Sequence, residues 1–245
     1  MFKNVKWIFI KTIEDDGVVY KKKSDLSVIL RTKNEEKWVG HAIQSILDNI
    51  YKPEIIVIDN NSTDQTLEIV KHFIQEPHLE KTVSKYTDIK IFSISDYSPG
   101  KSLNYGVKKS TKNNIMIISA HCVLRKINYS KHLKDLKKYV GIFGKQNPIW
   151  HGKRITKRYI WSHFGNTEVK NMFSKLENRY FFHNAISIFK KKTLLKNPFQ
   201  EKLAGKEDRY WANRIVKKKL NYLYDPSIEV DHQYTENGNT WKGIG

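Results

Sequence analysis

The 245-residue sequence has a single cysteine, Cys122, which excludes an internal disulfide and any metal site built from several thiolates. It also lacks internal repeats and low-complexity linkers, so its length suits one α/β domain with small additions and a substantial core. Its apolar runs fall far short of the roughly 20 residues that a membrane helix needs. The opening MFKNVKWIFIKT has neither the apolar length nor the small-residue cleavage site of a signal peptide. The chain is therefore expected to be soluble and cytoplasmic, or peripheral at the inner face of the cell membrane. Arginine is scarce: only seven of the 44 basic residues are Arg, and scattered lysines carry most of the formal net charge of +19. Arginine is the better bidentate reader of phosphate, so this composition argues against specific nucleic-acid binding. A solvated lysine-rich surface is the first reading of the charge, an anionic membrane surface or acidic glycan the second, and a basic nucleic-acid-binding α/β module the last.

What is present is organised around Leu26 to Asp64. Leu26, Val28, Ile29 and Leu30 form a short apolar run suited to a strand buried on both faces. Trp38, Ala42, Ile43, Ile46 and Leu47 then recur at helical spacing, and EIIVID supplies a second run ending at Asp59. Strand, helix and strand make a βαβ unit whose two carboxyl ends carry polar clusters, Arg31-Thr32-Lys33-Asn34-Glu35 and Asp59 to Asp64. Either cluster alone is ordinary turn and capping chemistry. Two at corresponding positions point to a ligand crevice, since open α/β sheets bind outside the carboxyl ends of their strands.

The remaining chain continues the alternation. Gln65 to Gln75 is a second helix and Ile89 to Ser95 a third strand. Pro99-Gly100 makes a turn, with a helix from Lys101 that aims backbone amides and an ammonium at the same crevice. Asn114 to Ile118 is a fourth strand, ending in Ser119-Ala120-His121-Cys122, where Cys122 faces away into packing. Ile127 to Tyr139 is a helix, with Leu133, Leu136 and Val140 inward. Trp150, Tyr159, Trp161 and Phe164 either fill a core or offer faces to sugar rings. Glu207 and Asp208 open a final helix whose inner face carries Trp211, Ile215, Val216 and Leu220. Residues 1–24 form an appendage, with Val5 to Ile10 and Val18 to Tyr20 pairing as a hairpin.

Several of these segments together resemble family 2 glycosyltransferases, enzymes of the GT-A fold that use nucleotide-sugar donors. The matching segments are LSVILRTKNEE with VIDNNSTDQT, GKSLNYG, GKEDRYWANRI and YLYDPSIEVDHQY, and they span Leu26 to His232. The resemblance implies a GT-A-like α/β domain over 25–245, with a Rossmann-related, mostly parallel central sheet flanked by helices. Its nucleotide-binding half covers about 25–125 and its acceptor and catalytic half about 126–235. The implied activity is inverting transfer of a sugar, with a UDP-sugar as donor and a hydroxyl of a glycan or lipid-linked acceptor as its target, in cell-surface polysaccharide synthesis. By the same resemblance Asp208 is the catalytic base, with Glu207 as cap or orienting partner. Asp59 reads the base, Arg31, Thr32 and Glu35 line the nucleoside pocket, Lys101 contacts the donor with Asn104 as organiser, and Ser119 meets the ribose.

One departure matters, because Ser119-Ala120-His121 stands where the family has Asp-x-Asp. A neutral imidazole suits Mn²⁺ better than Mg²⁺. Three readings stay open: His121 binds a divalent metal, it contacts diphosphate without metal, or activity has been lost and the chain is a binding protein. His232 is a second metal or phosphate ligand, or a structural histidine.

Overall fold

The computed structural model describes residues 11–14, 17–20, 24–75, 88–155, 160–236, 238 and 241. In chain order the strands are β1 (Lys11–Glu14), β2 (Gly17–Tyr20), β3 (Leu26–Thr32), β4 (Glu54–Asp59), β5 (Asp88–Ser93), β6 (Asn114–Ser119), β7 (Cys122–Lys126) and β8 (Ile142–Trp150). They continue with β9 (Lys153–Arg154), β10 (Val169–Lys170), β11 (Phe173–Ser174), β12 (Arg179–Tyr180), β13 (Ile186–Lys190) and β14 (Leu223–Gln233). The helices are α1 (Val39–Asn49), α2 (Thr66–Gln75), α3 (Pro99–Lys109), α4 (Tyr129–Asp135), α5 (Lys191–Lys196) and α6 (Glu207–Lys217).

β5, β4, β3 and β6 lie side by side and run parallel, as continuous apolar runs joined by helical crossovers require. β13 reverses direction between β6 and β8, and β14 then runs parallel to β8. β7 folds back antiparallel onto β14. Alternation along β3 decides which face each residue serves. Leu26, Val28 and Leu30 join Ala42, Ile43 and Ile46 of α1 in one aliphatic core. Ile29 joins Leu103 and Val107 of α3 in the other, which continues into Phe143, Phe181, Phe182, Phe189, Trp211, Tyr222 and Tyr224. Each such fully buried side chain contributes about 1.5–3 kcal/mol.

Two polar anchors lie at the far end of the strands from their ligand-binding mouths. Glu54, fully buried, takes hydrogen bonds from Ser27, Lys90 (2.7 Å) and Thr111, whose amide donates at 2.7 Å and hydroxyl at 2.9 Å. Burial alone would raise its carboxyl, but these bonds outweigh burial and hold it down at about 2. Asp225 at the start of β14 is bonded by Lys131 and by His132 Nε2 at 3.1 Å.

The hairpin that is described pairs β1 with β2, while the Val5 to Ile10 strand lies outside the described residues. The helix expected over Ile127 to Tyr139 is only α4, because Asn128 caps it with its side chain and Leu136 already closes it. α6 ends at Lys217, so Leu220 packs from beyond the helix. Of the two alternatives for the aromatics, Trp161 and Phe164 take core filling, buried in the aromatic core; Trp150 is exposed and Tyr159 lies outside the described residues.

Candidate active site

The carboxyl ends of β3, β4 and β6 open into a cleft of about 540 Å³, closed on the far side by the start of α6 and the end of β14. Arg31, Thr32, Glu35, Ser119, His121, Glu207, Asp208 and His232 all line it. Eight residues from four separate stretches of sequence thus converge on one cavity.

The loops after β3 and β4 lock each other through a lattice of short hydrogen bonds. Asn34 N donates to Ser62 Oγ at 2.9 Å, and Asn34 Oδ1 accepts from Thr63 N at 2.8 Å. Glu36 N donates to Asp64 Oδ2 at 3.0 Å, and Glu35 N to Thr66 Oγ1 at 2.7 Å. Asn34 and Asn61 take left-handed backbone, with φ of 53° and 51°, a conformation that asparagine tolerates better than most residues. The two mouths are therefore fixed before any ligand arrives.

Asp59 is part of that lattice. One carboxylate oxygen accepts from Thr32 Oγ1 at 2.9 Å and Ser62 Oγ at 2.6 Å, and the other accepts from Ser62 N at 2.9 Å. Its side chain is buried and does not line the cleft; Asn60, the next residue, does. Lys101 also stands apart. Its ammonium pairs with Asp96, in a neighbouring depression reached past Tyr97 and Pro99. α3 begins two residues before Lys101, with Ser98 as its cap, so Lys101 sits on the first turn rather than at the leading edge. Gly100 in that turn is held against the chain from α5: a methyl group there would meet Gln200 O at 2.1 Å. Asn104 bonds Phe199 N and Phe199 O, fastening α3 to the same loop.

His121 occupies the turn between β6 and β7, and its Nδ1 lies 2.8 Å from Glu35 Oε1. With that proton on Nδ1, Nε2 keeps its lone pair. His232 follows the same pattern. Its Nδ1 is 2.9 Å from Gln146 Oε1, and its Nε2 is buried without a hydrogen-bond partner. The two rings stand 4.9 Å apart between centroids. Burial first, then the nearby His121 and His183, hold the His232 imidazole well below its usual range, so it is neutral. A carboxylate or amide behind each imidazole is the arrangement that orients metal-ligating histidines. No group of three or more His, Cys, Asp or Glu side chains converges among the described residues, so a cation here needs oxygens from a ligand to complete its shell. Cys122 is buried in the core and is no ligand.

Across the cleft, Asp208 accepts from Arg209 N at 2.8 Å on one oxygen, and from Asn184 N at 3.1 Å and Arg209 Nη1 at 3.0 Å on the other. Glu207 stands 3.5 Å from Arg31 Nη1. Burial and the adjacent Asp208 raise the Glu207 carboxyl, with Arg31 pulling the other way. Both acids lie in the first turn of α6, where the helix dipole favours negative charge.

His183, Asn184, Asn60 and Arg209 also line the cleft. Asn60 belongs to the polar cluster that ends β4, and His183 and Asn184 lie in the Phe182 to Ile188 segment, whose sequence resembles a family strand; Arg209 follows a conspicuous acid pair, and for it only the fold supplies the signal.

The profile of the family described as "Glycosyl transferase family 2" matches residues 27–196. Over 134 residues the chain is 28% identical to dolichyl N-acetyl-alpha-D-glucosaminyl phosphate 3-beta-D-2,3-diacetamido-2,3-dideoxy-beta-D-glucuronosyltransferase of Methanococcus voltae, covering 51% of this chain and 40% of that protein. Over 214 residues it is 26% identical to GalNAc(5)-diNAcBac-PP-undecaprenol beta-1,3-glucosyltransferase of Campylobacter jejuni, covering 81% of this chain and 62% of the relative. The fold is that of the crystal structure of S. aureus TarS 1-349 in complex with UDP-GlcNAc, with a TM-score of 0.63 at 19% identity over 87% of this chain and 59% of that one. The chain spans less than two thirds of the length of each of these proteins.

Proposed function

Because the chain belongs to glycosyl transferase family 2, we propose that it is an inverting glycosyltransferase of the GT-A fold. It moves a sugar from a nucleotide-sugar donor, a UDP-sugar, to a hydroxyl of a glycan or lipid-linked acceptor in cell-surface polysaccharide synthesis. The observation that carries this reading is the opposition across one cleft of a fixed carboxylate, Asp208, and a pair of imidazoles, His121 and His232. A hydroxyl is a weak nucleophile, and a carboxylate held in place can take its proton as the new bond forms. Displacement from the side opposite the departing diphosphate then inverts the anomeric centre.

The donor's nucleoside lies over the locked loops, against Thr32, Glu35, Asn60 and Ser119. Asp59 acts there by holding Thr32 and Ser62 in place. Arg31, paired to Glu207, supplies positive charge toward the diphosphate. His121 and His232 are the residues that would hold a divalent cation, Mn²⁺ in preference to Mg²⁺ because imidazole is the softer donor. That ion, when bound, neutralises charge on the leaving diphosphate.

No described helix is long and apolar enough to cross a membrane. We place the protein in the cytoplasm, working at the inner face of the membrane where a lipid-linked acceptor is presented, with the lysine-rich surface drawn to anionic lipid rather than to nucleic acid.

Thermal-shift screening of nucleotide sugars with and without Mn²⁺ tests this function, since a ligand that binds only the folded state raises Tm. Stabilisation by a UDP-sugar that deepens with Mn²⁺ and is lost in His121→Ala is the expected result. Indifference to every nucleotide sugar overturns the assignment. A donor effect unchanged by exhaustive chelation removes the metal alone.

A further inference from the structure

Behind Asp208 lies a row of alternating charges, buried except at its far end, where Arg179 is about a third exposed. Arg209 is only 1% exposed, and its Nη1 holds the Asp208 carboxylate at 3.0 Å. Its Nε and Nη2 are buried without hydrogen bonds, and Nε instead lies 3.6 Å from Glu177 Oε2. The guanidinium carbon sits 4.4 Å from the centre of the Phe181 ring, which presses the group flat between its two acids. Glu177 belongs to the hairpin of β11 and β12. Its side chain is 3% exposed and its oxygens have no hydrogen-bond partner; besides Arg209 its neighbour is Arg179 Nε, at 3.8 Å. Asp208, Arg209, Glu177 and Arg179 therefore run negative, positive, negative, positive from the cleft wall to the hairpin.

Burying these charges costs several kcal/mol per ion unless each is balanced. An arginine that served only to balance Asp208 would have no use for a second buried acid. An arginine that pulled on Asp208 with its full charge would make the carboxylate a poor proton acceptor, because the best base has its affinity near the working pH. Glu177 divides that pull. The other charged groups facing Asp208 are Glu207 on its own helix and Arg31 from β3, with the neutral imidazole of His183 alongside.

We propose that Arg209 and Glu177 are a positioning pair for Asp208: Arg209 fixes the orientation of the carboxylate, and Glu177 sets how strongly the guanidinium draws on it. The pair touches no reacting atom. It acts through Asp208, so its catalytic consequence rests on Asp208 being the base, whereas its electrostatic consequence does not.

The test follows the aspartate carboxyl ¹³C resonances of the full chain against pH, with the Asp208 signal identified as the one missing from Asp208→Asn. In Glu177→Gln the guanidinium pull is undivided, and the Asp208 midpoint moves to lower pH by about half a unit or more. The double variant Glu177→Gln/Arg209→Met removes guanidinium and opposing acid together, Asp208 keeps the amide donors of residues 184 and 209, and the midpoint moves above that of the unsubstituted protein. Opposite movements support the pair; a midpoint unmoved in both variants overturns it. Release of UDP from UDP-GlcNAc is read in parallel. The acid limb of kcat in Glu177→Gln follows the carboxyl midpoint and kcat falls about tenfold, with the donor KM held within twofold. Equal losses in kcat and donor affinity mark Glu177 as merely structural and also overturn the proposal. If Asp208→Asn turns over normally while the midpoints move as stated, the base assignment fails and the charge relation stands.

Discussion

The two walls of the cleft are held by different physics. The wall formed by the loops after β3 and β4 is a lattice of short-range hydrogen bonds among Asn34, Ser62, Thr63, Asp64 and Thr66, mostly exposed or part-buried. The wall formed by α6 and the β11–β12 hairpin is a row of buried charges with few hydrogen bonds between them. A lattice spreads its stabilisation over many bonds of about 1 kcal/mol each and loses little when one goes. A row of buried charges concentrates it, since removing one member strands its neighbour. On the proposed reading, such a site is tolerant where it would receive the nucleotide and intolerant where it would transfer the proton.

The largest effect that separates the walls is expected from Arg209→Met. Alone it takes the guanidinium from two buried acids, Asp208 and Glu177, leaving Glu177 only the partly exposed Arg179 at 3.8 Å, and should lower unfolding free energy in urea by about 3–5 kcal/mol. A loss below about 1 kcal/mol would put the two walls on the same footing. Next is the anchor at the opposite end of the parallel strands. Glu54 is held at about 2 in the folded chain, below its unfolded value, so its stabilisation is complete above the ordinary carboxylate range and is lost as pH falls through the folded value. It should amount to roughly 3 kcal/mol at neutral pH. Urea titrations of the unsubstituted protein and Glu54→Gln should differ at pH 7 and converge toward pH 2; parallel curves across that window would remove Glu54 as the source.

Asp208→Asn should lower turnover on the order of a hundredfold while leaving donor affinity near that of the unsubstituted protein. Near-normal turnover would take Asp208 out of the chemistry. The smallest effect is expected from Ser62→Ala, which removes one lattice member: about 1 kcal/mol in stability and a few-fold in UDP affinity by calorimetry. A loss as large as that of Arg209→Met would show that the lattice, too, fails as a unit.

The parallel half was legible in the sequence because it repeats one rule. Continuous apolar runs such as Val28 to Leu30, Ile55 to Ile58 and Ile115 to Ile118 are strands buried on both faces, and the polar residues ending them must face the ligand. The same rule misplaced Asp59 and Lys101. The period of a strand says that Asp59 ends it, but not that Thr32 and Ser62 will occupy its carboxylate; that is decided by a neighbouring strand 27 positions away. Lys101 was placed by the start of a helix, and the helix starts two residues earlier. Glu177 and Arg209 were beyond sequence reasoning because their relation spans a hairpin made of two-residue strands, whose pairing no periodicity records.

The ladder between β7 and β14 has a consequence for how the cleft meets ions of different radius. His232 faces Cys122 across that ladder, and Gln233 N donates to His121 O at 2.9 Å, so the two imidazoles stand on adjoining rungs of one antiparallel pair. A rung is among the stiffest lengths in a protein, set by backbone hydrogen bonds at about 4.7–4.9 Å between strands. Moving the His121 turn away from His232 would break the Gln233 N bond that closes the ladder. On the proposed reading of a cation between the two imidazoles, the protein side of the site would behave as a fixed gauge, and adjustment to a larger or smaller ion would fall on the flexible diphosphate.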